Sequence, residues 1–292
     1  MISSPQLIVS IAELHKVLSA LRKTGKRIGL VPTMGALHEG HLSLVRASKA
    51  QCDCTVVSIY VNPSQFGPRE DISKYPRTLP ADLDALAALD AELVFAPADE
   101  EMYPSGYCTW IEVGAVAEPL EGQCRSGHFR GVATIVLKLL EIVRPDAAFF
   151  GQKDFQQSLV IRRMVRDLNV PVEIQVCPTV REPDGLAMSS RNRYLSPGAR
   201  RRALVLWKSL KLAEDLLSQG ERSAEKIIDQ MRKVILTAED ARIDYVALVD
   251  PESLQPVLSI TGRTLAALAV KIENTRLIDN CLLDLSPLIP SP

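Results

Sequence analysis

The 292-residue sequence has no excess of charge of one sign: 34 Lys and Arg stand against 35 Asp and Glu, a formal net charge of -1. Proteins that live on nucleic acid or anionic lipid carry a basic excess, so this balance argues against both partners. A long apolar run is also missing. The longest candidate, Gly131 to Phe150, is broken by Lys138, Glu141 and Arg144, short of the roughly 18 uninterrupted residues that cross a bilayer. The opening MISSPQLIVSIAELHK has no basic stretch followed by an extended apolar core, the pattern of an export leader, so the expectation is a cytoplasmic protein. The six cysteines (Cys52, Cys54, Cys108, Cys124, Cys177, Cys281) are scattered without a CxxC spacing, which predicts reduced thiols rather than a disulfide framework or zinc site. Low-complexity tracts and internal repeats are lacking, and histidine is scarce, at four residues.

What is present is the composition of a folded globular protein, 47% hydrophobic and 24% charged. At about 150 residues per domain the length allows two domains. Apolar runs alternate with helical patterns: IGLVP (Ile28 to Pro32), CTVVSIYV (Cys54 to Val61), LVFA (Leu93 to Ala96), AAFF (Ala147 to Phe150) and VEIQV (Val172 to Val176) read as five strands. Helices are predicted between them over Leu42–Ala50, around DLDALAALD, and over Gln157–Leu168. The clearest lies where Val132, Ile135, Val136, Leu139, Leu140 and Val143 fall at i, i+3, i+4, i+7, i+8 and i+11. Strands separated by helices imply right-handed crossovers and a doubly wound parallel sheet of α/β class. Beyond Pro183–Gly185 the texture changes to charged helices (197–218, 223–236) and the runs IDYVALV, TLAALAVKI and RLIDNCLLDL. Residues 1–182 are therefore expected to form the α/β domain and 183–292 a smaller α+β domain.

Ligands of such sheets bind at the carboxyl ends of the strands. The loop after the first predicted strand carries His38-Glu39-Gly40-His41 where a helix begins. A helix N-terminus offers free N–H groups and a partial positive charge, and Gly35 and Gly40 let backbone approach a bulky anion. Two imidazoles three residues apart can both donate to phosphate oxygens, especially if the site raises their protonation. The alternative is a pair of surface histidines at a turn; a zinc-protease reading fails because HEGH lacks the HExxH spacing. After the fourth predicted strand, Lys153 can neutralise phosphate as a point charge and Asp154 can accept ribose hydroxyls or hold magnesium through water. Gln65 and Gln157 are neutral amides suited to a small hydroxylated acid, and Met188-Ser189-Ser190-Arg191 offers hydroxyls and a guanidinium on a loop at the inferred domain junction. Each of these sets, taken alone, is also compatible with a solvated surface.

Together, PTMGALHEGHLSLV, VNPSQFGPREDISKYPRT, GHFRGVATIVLKLL, FGQKDFQQ and GLAMSSRNRYLS resemble the pantothenate synthetase family, over about residues 28–196. More distantly the chain is similar to the nucleotidyltransferases that share an HxGH element, which implies a Rossmann-like sheet and a C-terminal lid. The resemblance implies a two-step ligation: pantoate carboxylate attacks the α-phosphate of ATP, pyrophosphate leaves, and the amine of β-alanine displaces AMP from the pantoyl adenylate. It implies ATP contacts for Met34, Gly35, Ala36, Leu37, His38, Glu39, Gly40, His41, Gly151, Gln152, Lys153, Asp154, Val180, Met188, Ser189, Ser190 and Arg191. Within that set His38, His41, Lys153 and Arg191 are given catalytic roles, His41 that of an acid. Gln65 and Gln157 are assigned to pantoate, with Asn62 and Arg125 as further substrate-binding candidates. His128, like Asn62 and Arg125, falls in a matching segment, its role less defined than those of the two glutamines. Mg2+ is expected with ATP, Asp82 being the candidate for a water-mediated contact, and no protein metal site is expected. A homodimer is implied by analogy, with CTWIEV (Cys108 to Val113) as a strand that could contribute. The rival readings are a nucleotidyltransferase acting on a phosphorylated substrate or tRNA, and a non-enzymatic nucleotide-binding module.

Overall fold

The computed structural model describes residues 4–67, 70 and 72–285; Pro68, Arg69 and Asp71 of the PREDISKYPRT stretch lie outside the described residues. The chain divides into two compact units, Met1–Val180 and Arg181–Pro292.

In the first unit the order is β1 (Gln6–Ile8), α1 (Ile11–Lys23), β2 (Ile28–Thr33), α2 (Glu39–Gln51), β3 (Cys54–Ile59), α3 (Leu79–Ala87) and β4 (Leu93–Phe95). There follow α4 (Asp99–Met102), α5 (Glu121–Cys124), α6 (His128–Val143), β5 (Ala147–Gly151), α7 (Phe155–Asp167) and β6 (Glu173–Cys177). The six strands form one sheet in the order β1-β4-β3-β2-β5-β6, and every pairing is parallel. The inner strands β3 and β5 are nearly continuous apolar runs because helices cover both of their faces. From β2 the chain winds outward through β3 and β4, then returns to place β5 on the other side of β2. The switch point therefore lies between the carboxyl ends of β2 and β5, where the loops diverge and leave a crevice.

Two expectations from the sequence need correction. The sheet has six strands rather than five: β1 is three residues long and pairs with β4 at the sheet edge, too short to show an alternation. Cys108–Val113 forms no strand in the single chain. Among the described residues no strand pairs with it, and the Ile111 N–H donates instead to Thr134 Oγ1 at 3.0 Å. Helix α6 is more deeply enclosed than one apolar stripe suggests, because α1, α7, β2 and the 3-10 turn Pro63–Gln65 all pack on it.

The second unit holds α8 (Pro197–Arg202), α9 (Leu204–Ser218), α10 (Ala224–Ile235) and the strands β7 (Arg242–Val249), β8 (Thr264–Ile272) and β9 (Thr275–Leu283). The strands make an antiparallel sheet in the order β7-β8-β9 over a core that includes Leu206, Leu210, Met231, Leu248 and Leu268. No described helix is long and apolar enough to cross a membrane.

Candidate active site

At the carboxyl end of β2 the chain turns through Gly35 (φ 76°) and Ala36 (φ 50°) before α2 begins. A left-handed alanine costs roughly 1–2 kcal/mol and persists only when neighbours over-determine it. The buried carboxylate of Asp82, from the first turns of α3, does so. It accepts the Ala36 N–H at 3.0 Å on Oδ2 and the Leu37 N–H at 2.8 Å on Oδ1, and the Thr78 hydroxyl lies 3.2 and 3.1 Å from the two oxygens. Thr33 Oγ1 accepts the Gly35 N–H at 3.2 Å. Both Asp82 oxygens thus brace the nucleotide-loop candidate. Among the described residues no group of three or more His, Cys, Asp or Glu is arranged to hold a metal ion.

The two histidines cap α2 reciprocally. His38 is the N-cap and its Nδ1 accepts the Gly40 N–H at 3.2 Å, while His41 Nδ1 accepts the His38 N–H at 3.3 Å. An imidazole nitrogen that accepts carries no proton, so each neutral ring bears its hydrogen on Nε2. The ring centroids are 4.0 Å apart. Withdrawal from water, reinforced by His38 and Lys153 against the opposing Asp154 carboxylate, pushes His41 down to about 3. The added donation that a raised protonation would give is therefore not available at His41 in the chain alone: a neighbouring imidazole, a lysine and desolvation all penalise a further cation.

Lys153 and Asp154, on the 3-10 turn Gln152–Asp154 that follows β5, are close enough to act electrostatically on His41. Lys153 Nζ lies 3.7 Å from Asp154 Oδ1. Met34–His41 and Gly151–Asp154 therefore flank the switch point. Val180 is the last residue of the first unit and is half-buried.

On the other side of β2, the loop after β3 carries Asn62 and Gln65. Asn62 is 1% exposed and its amide is fully engaged: Nδ2 donates to Gln65 Oε1 at 3.0 Å and to Gly131 O at 3.2 Å, while Oδ1 accepts from the Ser64 hydroxyl at 2.9 Å and the Tyr103 hydroxyl at 2.8 Å. It orients Gln65, whose Nε2 points at Met34 Sδ, 3.1 Å away. Gln65 and the loop after β2 are therefore in contact. Arg125 makes two bonds to Glu70, at 2.8 and 2.7 Å, and lies 2.9 Å from His128 Nε2. Of the pair at the start of α7, Gln156 is structural, bonding the Glu121 N–H and the carbonyls of Val116 and Pro119, and Gln157 is the half-buried member.

Met188, Ser189, Ser190 and Arg191 belong to the second unit. Ser189 caps the 3-10 turn Ser190–Tyr194, its Oγ accepting the Arg191 N–H at 3.3 Å. Asn192 donates to Glu182 Oε1 at 2.9 Å and Ala187 O at 3.1 Å, and Arg200 bridges Glu182 and Asp184 at 2.6 and 2.9 Å, so the loop is shaped by its own neighbours. Sequence reading did not single out Asp82 as a loop brace, nor Glu70 and Gly131; all three act through partners remote in sequence.

Comparison with known proteins bears on this geometry. The chain matches the family model described as Pantoate-beta-alanine ligase over residues 6–282. It is 54% identical over 281 residues to the pantothenate synthetase of Moorella thermoacetica, covering 96% of this chain and 99% of that protein. With the pantothenate synthetase of Roseiflexus sp. it shares 56% identity over 279 residues, covering 96% and 99% of the two. Among solved structures, the pantothenate synthetase of Thermus thermophilus superposes with a TM-score of 0.91 at 43% identity, covering 97% of this chain and all of that one. The Francisella tularensis ligase, described as complexed with beta-gamma ATP and beta-alanine, gives 0.78 at 36% identity over 96% and 98%. With an all-parallel sheet, an HEGH-capped helix at its switch point and homology along nearly the whole sequence, the chain belongs to the pantoate–β-alanine ligase, or pantothenate synthetase, family.

Proposed function

We propose that the protein condenses pantoate with β-alanine at the expense of ATP, through a pantoyl adenylate, releasing AMP and pyrophosphate. The observation that carries this reading is the reciprocal cap of His38 and His41 beside Lys153: two neutral Nε2–H donors and one cation at a helix N-terminus. A pantoate carboxylate oxygen attacks the α-phosphorus, a P–O bond forms, and the bond to pyrophosphate breaks. The amine of β-alanine then attacks the carbonyl of the mixed anhydride, loses a proton, and AMP departs. No enzyme nucleophile is needed; the work is positioning and charge neutralisation.

Met34–His41 and Gly151–Asp154 hold ATP in this reading, with Val180 and Met188–Arg191 assigned to it from the resemblance. Lys153 neutralises phosphate, and Arg191 stabilises charge as pyrophosphate leaves. The triphosphate's negative charge favours the imidazolium form, so a larger fraction of His41 carries the proton an acid must supply once ATP is bound. Gln65 and Gln157 hold pantoate. Asn62 serves by orienting Gln65, and Arg125 acts through Glu70 and His128. Mg2+ arrives with ATP and keeps several of its waters.

Neutral amides at 65 and 157 favour an unphosphorylated acid over the phosphorylated substrates of other nucleotidyltransferases. We place the enzyme in the cytoplasm as a homodimer, with the exposed Cys108–Val113 segment as the candidate contact; sedimentation tests the dimer. The reaction is tested by incubating enzyme with ATP, Mg2+, pantoate and β-alanine. AMP formed only when pantoate is present supports the reading, and ADP, or no AMP, refutes it.

A further inference from the structure

The 3-10 turn Pro63–Gln65 belongs to no strand and is held in place by the first turns of α6. The helix backbone approaches closely at Gly131, where a Cβ would stand 2.3 Å from Ser64 O and 2.6 Å from Gln65 N. A second attachment is His128, 8% exposed, whose Nδ1 lies 2.9 Å from the carbonyl oxygen of Gln65. Its Nε2 lies 2.9 Å from Arg125 Nη1. A guanidinium can only donate, so Nε2 must accept, and the single ring proton falls on Nδ1, where it donates to Gln65. Glu70 fixes Arg125 with two bonds, at 2.8 and 2.7 Å, and closes the chain of partners.

We propose that His128 is a positioning residue for pantoate recognition: as its Nδ1–H tautomer, set by Arg125 and Glu70, it holds the Gln65 carbonyl and so aims the Gln65 amide. This rests on the assignment of pantoate to Gln65 made above. Protonating the ring would oppose a donor to the Arg125 donor, and burial together with Arg125 pushes His128 down to about 4, so the neutral ring prevails near neutrality.

The test is steady-state kinetics with His128→Phe, His128→Asn, Gln65→Ala and the His128→Phe/Gln65→Ala double variant. His128→Phe is expected to raise the KM for pantoate about five- to tenfold, the factor for one lost hydrogen bond, and to leave the KM for ATP unchanged. Asparagine, which offers an amide donor at the place of Nδ1–H, restores most of the affinity. In the Gln65→Ala background, His128→Phe adds less than about twofold, since residues acting through one another are not additive. If Gln65→Ala raises the pantoate KM and His128→Phe does not, the positioning role is overturned while the pantoate site stands. If Gln65→Ala leaves that KM unchanged, the assignment of Gln65 fails and the proposal with it. Nitrogen-15 spectra of the wild-type enzyme give a check that needs no variant: a proton on His128 Nδ1 is expected, and one on Nε2 overturns the proposal.

Discussion

Replacing Gly131 by alanine sets two effects of opposite sign against each other. In a helix interior the change gains about 1 kcal/mol in propensity. Here the new Cβ would meet Ser64 O at 2.3 Å, Ser64 C at 2.5 Å and Gln65 N at 2.6 Å, all of them backbone atoms that no rotamer change can move. Forcing a methyl group into packed structure costs typically about 1–3 kcal/mol, and contacts this short sit at the upper end. The clash wins, and a net loss of about 1–2 kcal/mol is expected. For a unit of this size that lowers Tm by about 2–8 °C. The displaced 63–65 turn carries Gln65, so the KM for pantoate should rise in parallel. Gly114→Ala is the control, since nothing lies within 4 Å of its Cβ, and a surface change of this kind stays within about 0.5 kcal/mol. Thermal unfolding followed by circular dichroism, with pantoate titrations on the same preparations, measures both quantities. A Gly131→Ala enzyme as stable as the wild type, with unchanged pantoate KM, would contradict the close approach of α6 to the substrate turn.

Asp82→Asn replaces one carboxylate oxygen by an amide donor facing the Ala36 or Leu37 N–H. Leaving one such N–H unsatisfied costs about 1–3 kcal/mol, and the KM for ATP should rise more than that for β-alanine; equal KM values for ATP in variant and wild type would show that the brace is dispensable. Stability should fall with acidity between about pH 6.5 and 4 through His128. Its folded value of about 4 lies below the unfolded 6.5, so the unfolded chain binds the extra proton in that window. At about 1.4 kcal/mol per unit this amounts to roughly 3 kcal/mol, fully present above about pH 6.5. Urea unfolding of His128→Asn should show a flatter profile there, and an identical slope would exclude His128 as the source. Lys153→Ala should keep the fold and Tm while lowering the single-turnover rate of AMP formation by about 100-fold or more, the scale of a lost electrostatic contact in a transition state; an unchanged rate would remove Lys153 from the chemistry.

The α/β alternation was legible because parallel strands buried on both faces are written as short β-branched runs closed by Gly and Pro. The positions of HEGH and GQKD at strand ends followed from the same reading, and the adjacency of β2 and β5 in the sheet made them neighbours. Contacts remote in sequence were not legible. Asp82 reaches Ala36 across 46 residues and Arg125 reaches Glu70 across 55, and no local pattern marks either. The tautomers of His38 and His41 were not legible either, because the partners of the two Nδ1 atoms are backbone N–H groups, visible only once α2 is seen to start at Glu39. The β-rich composition of Cys108–Val113 suggested a strand, but a strand needs a partner, and within the chain Ile111 finds a side chain instead.

Isotope transfer tests the adenylate route most directly. Pantoate labelled with 18O in its carboxylate is turned over with unlabelled ATP and β-alanine, and the products are weighed by mass spectrometry. If the carboxylate attacks the α-phosphate, its labelled oxygen becomes bonded to phosphorus and stays there when the acyl C–O bond breaks, so AMP gains about 2 mass units while pyrophosphate stays unlabelled. Unlabelled AMP beside labelled pyrophosphate, or unlabelled AMP with all label in the amide product, would contradict it.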